Sequence, residues 1–156
     1  MTAERLDTPV IDEHAIDESA LWSITGYALR RTDHVLQRDF RRHIGKPLGI
    51  SEIEFSLVML AGANPETTQK ALCASLGMKP PALAVVLDRL EKAGIVERRR
   101  MPEDRRVQIV ALSTRGASLY EQARTRAREM ESRIRQRLDA TERATLAALL
   151  RKLRVN

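Results

Sequence analysis

Residues 76–116 read LGMKPPALAVVLDRLEKAGIVERRRMPEDRRVQIVALSTRG, and this stretch decides the fold. Gly77 closes a short helical run, 69–76, in which Leu72 and Leu76 recur at helical spacing, and glycine suits the left-handed turn after a helix. Lys79-Pro80-Pro81 opens the next helix, because prolines are tolerated where first-turn amides need no partner. Leu83, Val86, Leu87 and Leu90 give that helix one inner face, and Gly94 stops it. Two short helices separated by only Gly77 and Met78 have the length and tight turn of a helix-turn-helix. Beyond Gly94, β-branched runs at 95–100 and 107–112 flank the charged turn 101–106, which predicts a β-hairpin. A basic hairpin directly behind a helix-turn-helix is a wing, whose tip can reach phosphates or a minor groove beside an occupied major groove.

Upstream, apolar residues at Leu21, Ile24, Ala28, Leu29, Val35, Leu36, Phe40 and Ile44 predict one long amphipathic helix over 18–43, ended by Gly45-Lys46-Pro47-Leu48-Gly49. Ser51 and Glu54 form an S-x-x-E capping box ahead of a second helix carrying Ile53, Leu57, Val58 and Leu60, and Thr67 or Thr68 caps the third. Downstream of the wing, Leu119, Ala123, Ala127, Met130, Ile134 and Leu138 predict one long helix over 113–137. Asp139 and Glu142 cap a last one bearing Leu146, Leu149, Leu150 and Leu153. The expected fold is mainly α with a small β-hairpin wing. A winged helix-turn-helix domain, 50–115, sits between helical dimerisation segments, 18–49 and 116–156, behind a flexible acidic arm, 1–17.

Composition agrees. Aromatic residues make up only 3% of the 156, so Leu, Ile, Val and Ala must fill the core, which favours packed helices over a β-sandwich. The net charge is +6, but residues 1–19 hold six acidic side chains against Arg5, a local −5 that leaves +11 on the rest. A basic body fits a polyanionic partner, and a solvated charged surface accounts for the same numbers. No stretch approaches the roughly 20 apolar residues of a membrane span, and Glu4, Arg5 and Asp7 stand where a signal peptide would be apolar, so the expectation is a cytoplasmic protein with no membrane partner. The terminal helices carry apolar stripes that must be covered. A two-fold dimer would cover them and set two recognition helices about one DNA turn apart; a monomeric helical subdomain using the same stripes is the other reading.

The order helix, helix, helix-turn-helix, wing, long helix, helix resembles the MarR family of bacterial regulators. The likeness concentrates in Leu76-Gly77-Met78, residues 87–98 (LDRLEKAGIVER), Pro102-Glu103-Asp104-Arg105-Arg106 and residues 110–116 (VALSTRG). It implies a dimeric regulator of double-stranded DNA whose wing holds a D-x-R element, here Asp104 and Arg106, with the acid orienting the arginine toward the minor groove. Arg98, Arg100 and Arg105 would add phosphate-binding charge, although strand residues alternate sides. The recognition helix departs from the family's polar habit: Pro80, Ala82, Ala84 and Val85 leave Lys79 as the donor for a guanine or phosphate, with the apolar groups limited to thymine methyls. Lys70 and Arg89 are further phosphate candidates, and solvated surface charges otherwise.

The resemblance also implies a small, anionic, aromatic or phenolic effector in a crevice lined from the first, second and fifth helices. Candidates are Trp22, Tyr27, His34, Arg38, Arg41 and Leu57, and Trp22 and Tyr27 also suit a dimer core. Cys73, the single cysteine, falls between Leu72 and Leu76 and reads as packing rather than a redox sensor. His14, His34 and His43 have no ligand spacing, and no phosphate loop or nucleophile motif occurs, so no enzyme, cofactor or metal site is expected. A winged-helix protein-interaction module without specific DNA readout is the alternative, and a steep salt dependence of DNA affinity would separate the two.

Overall fold

The computed structural model describes residues 16–104 and 106–153. The acidic arm therefore lies almost wholly outside the described residues, as does Arg105. The chain divides between Arg38 and Asp39 into two units. In the first, α1 (Ser19–Trp22) is followed by α2 (Thr25–Phe40), whose last residues enter the second unit. The single helix expected over this region is thus interrupted. Ser23 is the cause to hand: its hydroxyl donates to the Ala20 carbonyl at 2.7 Å, the local side-chain bond by which serine competes with a helical ladder.

In the second unit the helix passes through a wide π turn, Arg41–Gly45, and continues as α3 (Lys46–Leu48), so it ends later than the proline and glycines suggest. Pro47 has no amide to donate four residues back, and its ring would crowd the His43 carbonyl; a wider turn relieves both problems. That carbonyl accepts from the Arg126 guanidinium instead, at 3.5 Å. The left-handed residue is Gly49, φ 66°.

Next comes α4 (Glu52–Ala63), opened by the expected capping box: Ser51 Oγ accepts from the Glu54 amide, and the Glu54 carboxylate accepts from the Ser51 amide at 2.8 Å. The strand β1 (Thr67–Thr68) leads into α5 (Gln69–Leu76), where Thr68 Oγ1 caps the Ala71 amide at 3.1 Å. Gly77, at φ 64°, turns the chain into α6 (Pro80–Lys92) with a bend of 112°, within the helix-turn-helix range. Leu57, Val58, Leu72, Leu83, Leu87 and Leu90 bury against one another and against Val96 and Val110 of the sheet. Among the described residues no single helix is long and apolar enough to cross a membrane.

The wing strands are β2 (Val96–Arg100) and β3 (Gln108–Leu112), antiparallel with Val96 opposite Leu112 and Arg100 opposite Gln108. The hairpin gains a third strand: Thr67 and Thr68 pair with Val110 and Ile109, giving the order β1-β3-β2. After the sheet, Ser113 caps α7 (Thr114–Met130) through the Gly116 amide and ties it to the Gly94 carbonyl at 2.6 Å. Phe40, Ile44 and Ile50 form a second small core with Leu119, Ala127 and Met130 of α7. The long helix expected over 113–137 continues as α8 (Ser132–Arg137), and Glu131 between the two keeps helical angles and bonds on both sides. Arg133 pairs with buried Asp39 at 2.9 Å. The predicted Asp139 and Glu142 cap then opens α9 (Ala140–Leu153), and neither α8 nor α9 buries a single residue.

Candidate nucleic-acid interface

Helix α6 is held from below by Leu83, Val86, Leu87 and Leu90, so helical periodicity sends Pro81, Ala82, Val85, Asp88 and Arg89 outward together. Lys79 and Pro80 are exposed at its start, Lys70 is exposed on α5, and Ala84 is half-buried. The charged residues at the far end of the stripe are already engaged. Arg89 pairs at 2.9 Å with the buried carboxylate of Glu54, the same group that closes the α4 capping box. Asp88 pairs with Arg98.

Arg98 is where the structure departs most from the sequence expectation. Its guanidinium sits between two carboxylates of α6, Asp88 at 2.6 Å and Glu91 at 2.5 Å, and its amide also donates to Glu91. The hydrogen bond from Arg98 holds the Glu91 carboxyl below its ordinary range, and the same contact raises the guanidinium. Arg98 therefore ties the base of the wing to α6 and has little left for a phosphate. Arg99 is likewise taken by Glu66. Of the three consecutive arginines, Arg100 alone makes no ion pair among the described residues. No local pattern announces these pairings, because Asp88, Glu91 and Glu66 meet their arginines only through the turn and the sheet.

At the wing tip the Asp104 carboxylate accepts from the Arg106 amide at 2.9 Å, the Asp104 carbonyl accepts from the Val107 amide, and the Val107 carbonyl accepts from Met101. Asp104 thus fixes the backbone that carries Arg106 and leaves the guanidinium exposed, without an ion pair among the described residues. The expected contact between acid and arginine is made through the main chain rather than between side chains. Lys70, Lys79, Arg100 and Arg106 are candidate cations that make no ion pair among the described residues and are exposed to an anion.

The effector candidates fall in both units. Trp22 packs edge-to-face on Tyr27, with ring centres 5.9 Å apart, and its indole donates to Glu18; His34 and Arg38 are exposed on α2. Arg41 is exposed in the π turn. Leu57 is fully buried under α5 and α6, so its side chain packs the core and has no face for a ligand. Cys73 is half-buried against the same core. An open depression of about 390 Å³ on α7, lined by Glu121, Gln122, Thr125, Arg126 and Glu129, gathers none of these candidates.

The sequence profile described as "MarR family" matches residues 50–107, which span α4 to the wing tip. The multiple antibiotic resistance protein MarR of Salmonella typhimurium is 35% identical over 112 residues, covering 69% of this chain and 75% of that protein. Among solved structures, the transcriptional repressor CouR bound to a 23-mer DNA duplex superposes with a TM-score of 0.80 at 29% identity, over 88% of this chain and 97% of that one. CouR bound to p-coumaroyl-CoA gives 0.75 at 27% identity, over 88% and 96%.

Proposed function

The chain belongs to the MarR family of transcriptional regulators, and from that premise we propose that it is a repressor that binds a pseudo-palindromic operator as a homodimer and is released by a small anionic aromatic effector. The observation that carries the DNA-binding part is the wing tip. Asp104 fixes the turn, Arg106 stands exposed beyond it, and Arg98 locks the base of the wing to α6, so helix and hairpin are held as one reading head. A guanidinium on a preordered turn loses less freedom on entering a narrow, electronegative minor groove. Lys70, Lys79 and Arg100 supply phosphate contacts around it.

Dimerisation is supported by the apolar side chains left exposed on the terminal helices, Leu29, Val35 and Leu36 on α2 and Leu146, Leu149, Leu150 and Leu153 on α9. A second copy is the occupant that also doubles the reading head. For the effector, the structural relative that carries p-coumaroyl-CoA supports a phenolic acid or its thioester as the class, with Trp22, Tyr27, His34, Arg38 and Arg41 as the side chains to test.

The test is a mobility-shift titration on a duplex selected from a random pool. Wild type binds with an affinity that falls steeply with salt, and Arg106→Ala loses about 10- to 100-fold while remaining folded. Unchanged affinity in Arg106→Ala overturns the role of the wing. A thermal-shift screen of phenolic acids and their coenzyme A thioesters, followed by release of the bound duplex, tests the effector class.

A further inference from the structure

The outer face of α6 is apolar through its first two turns. The exposed positions Pro81, Ala82, Val85, Asp88 and Arg89 follow the spacing of one helical stripe, and the two charged members are already paired with Arg98 and Glu54. Val85 is 67% exposed, and between residues 37 and 145 no other large apolar side chain among the described residues is exposed. Nothing in folding asks for it there: a β-branched residue on a solvent-facing helix surface gives up rotamer freedom and buries nothing.

The surroundings restrict what can cover it. Lys79 stands at the start of the same helix, and Arg100 and Arg106 stand on the hairpin that Arg98 ties to it, all without carboxylate partners among the described residues. An apolar spot framed by free cations suits a polyanion that offers an apolar group of its own. In the major groove of duplex DNA that group is the C5 methyl of thymine, the one alkyl group among the four base edges there; the donors and acceptors beside it are groups that Val85 and Ala82 cannot answer.

We propose that Val85, with Ala82 beside it, reads thymine C5 methyl groups, so that each operator half-site is specified under α6 by methyl contact rather than by a hydrogen-bond pattern. The proposal rests on α6 being the DNA-reading helix. Half-buried Ala84 takes no part, and Lys79 is the one donor the helix start adds.

Replacing single thymines of a selected duplex by uracil removes only the methyl and leaves every hydrogen-bonding group and the whole minor-groove edge in place. At one or two thymines per half-site, uracil is expected to weaken binding about fourfold, the worth of one buried carbon. Uracil beneath the wing changes nothing. In Val85→Ala the ratio of affinities for thymine and uracil duplexes falls toward one, and the melting temperature does not drop below that of wild type because the side chain is exposed and alanine is the better helix former. Tight binding that ignores uracil at every position, or a uracil effect undiminished in Val85→Ala, overturns methyl reading and leaves DNA binding intact. Failure to bind any selected duplex overturns both.

Discussion

A methyl group at position 116 would stand 2.0 Å from the Ile95 carbonyl oxygen, which is backbone and cannot step aside. Gly116 is the first-turn residue whose amide Ser113 caps, so α7 can reach the sheet only where no side chain intervenes. Gly116→Ala is expected to destabilise the fold by about 2 kcal/mol, as overpacking does, read as a lower urea midpoint at unchanged slope. Glu91 gives a second prediction. Its folded carboxyl lies below the ordinary value of 4.5, so its pairing with Arg98 stabilises above that pH and is lost as the pH falls through the lower folded value. The stability gap between wild type and Glu91→Gln should therefore be constant near neutrality and close on acidification below about pH 4.5. At 39% side-chain exposure solvent screens the pair, which keeps the gap on the order of 0.5 kcal/mol. A gap that persisted into strong acid would mean that the carboxylate's charge is not what holds Arg98.

Among the elements, those announced by adjacent residues are legible in the sequence. Ser51 with Glu54, a threonine at 67 or 68, Gly77 after Leu76, and Asp139 with Glu142 each bound a helix through groups within a few residues, and the fold selects Thr68 of the two threonines. What stayed hidden depends on distant partners. β1 is two residues long and exists because Thr67 and Thr68 meet Val110 and Ile109, more than forty positions on. The π turn answers to Pro47 but is sealed by Arg126 of α7, and Arg98 and Arg100, read alike as phosphate candidates, differ because Asp88 and Glu91 claim Arg98. That sorting separates two variants of the wing. Arg100→Ala should lower the salt slope of DNA binding by about one per protomer, as a lost phosphate contact does, and leave the hairpin intact. Arg98→Ala should instead speed amide exchange across 96–100, because it unties the strand from α6. Equal effects of the two on both measurements would contradict the division of labour.

The molecule as a whole is unevenly covered: the helix-turn-helix and wing enclose a core of fully buried side chains, while α9 exposes Leu146, Leu149, Leu150 and Leu153 at between 42% and 53%. These four share one face by their spacing of three, one and three, and they form the exposed apolar stripe that the proposed dimer would cover. Because α9 buries nothing itself, a charge placed there leaves the reading head's own packing untouched. Leu146→Glu combined with Leu149→Glu should yield a folded monomer by sedimentation, with the helical circular dichroism signal retained. Its operator affinity should then drop by about 100-fold or more, since two half-sites no longer act through one linked body. On a duplex carrying a single half-site the variant and the wild type should bind alike, which separates loss of pairing from damage to α6 or the wing. A double variant that still sediments as a dimer would place the interface elsewhere, and one that loses half-site binding as well would show that α9 supports the reading head directly.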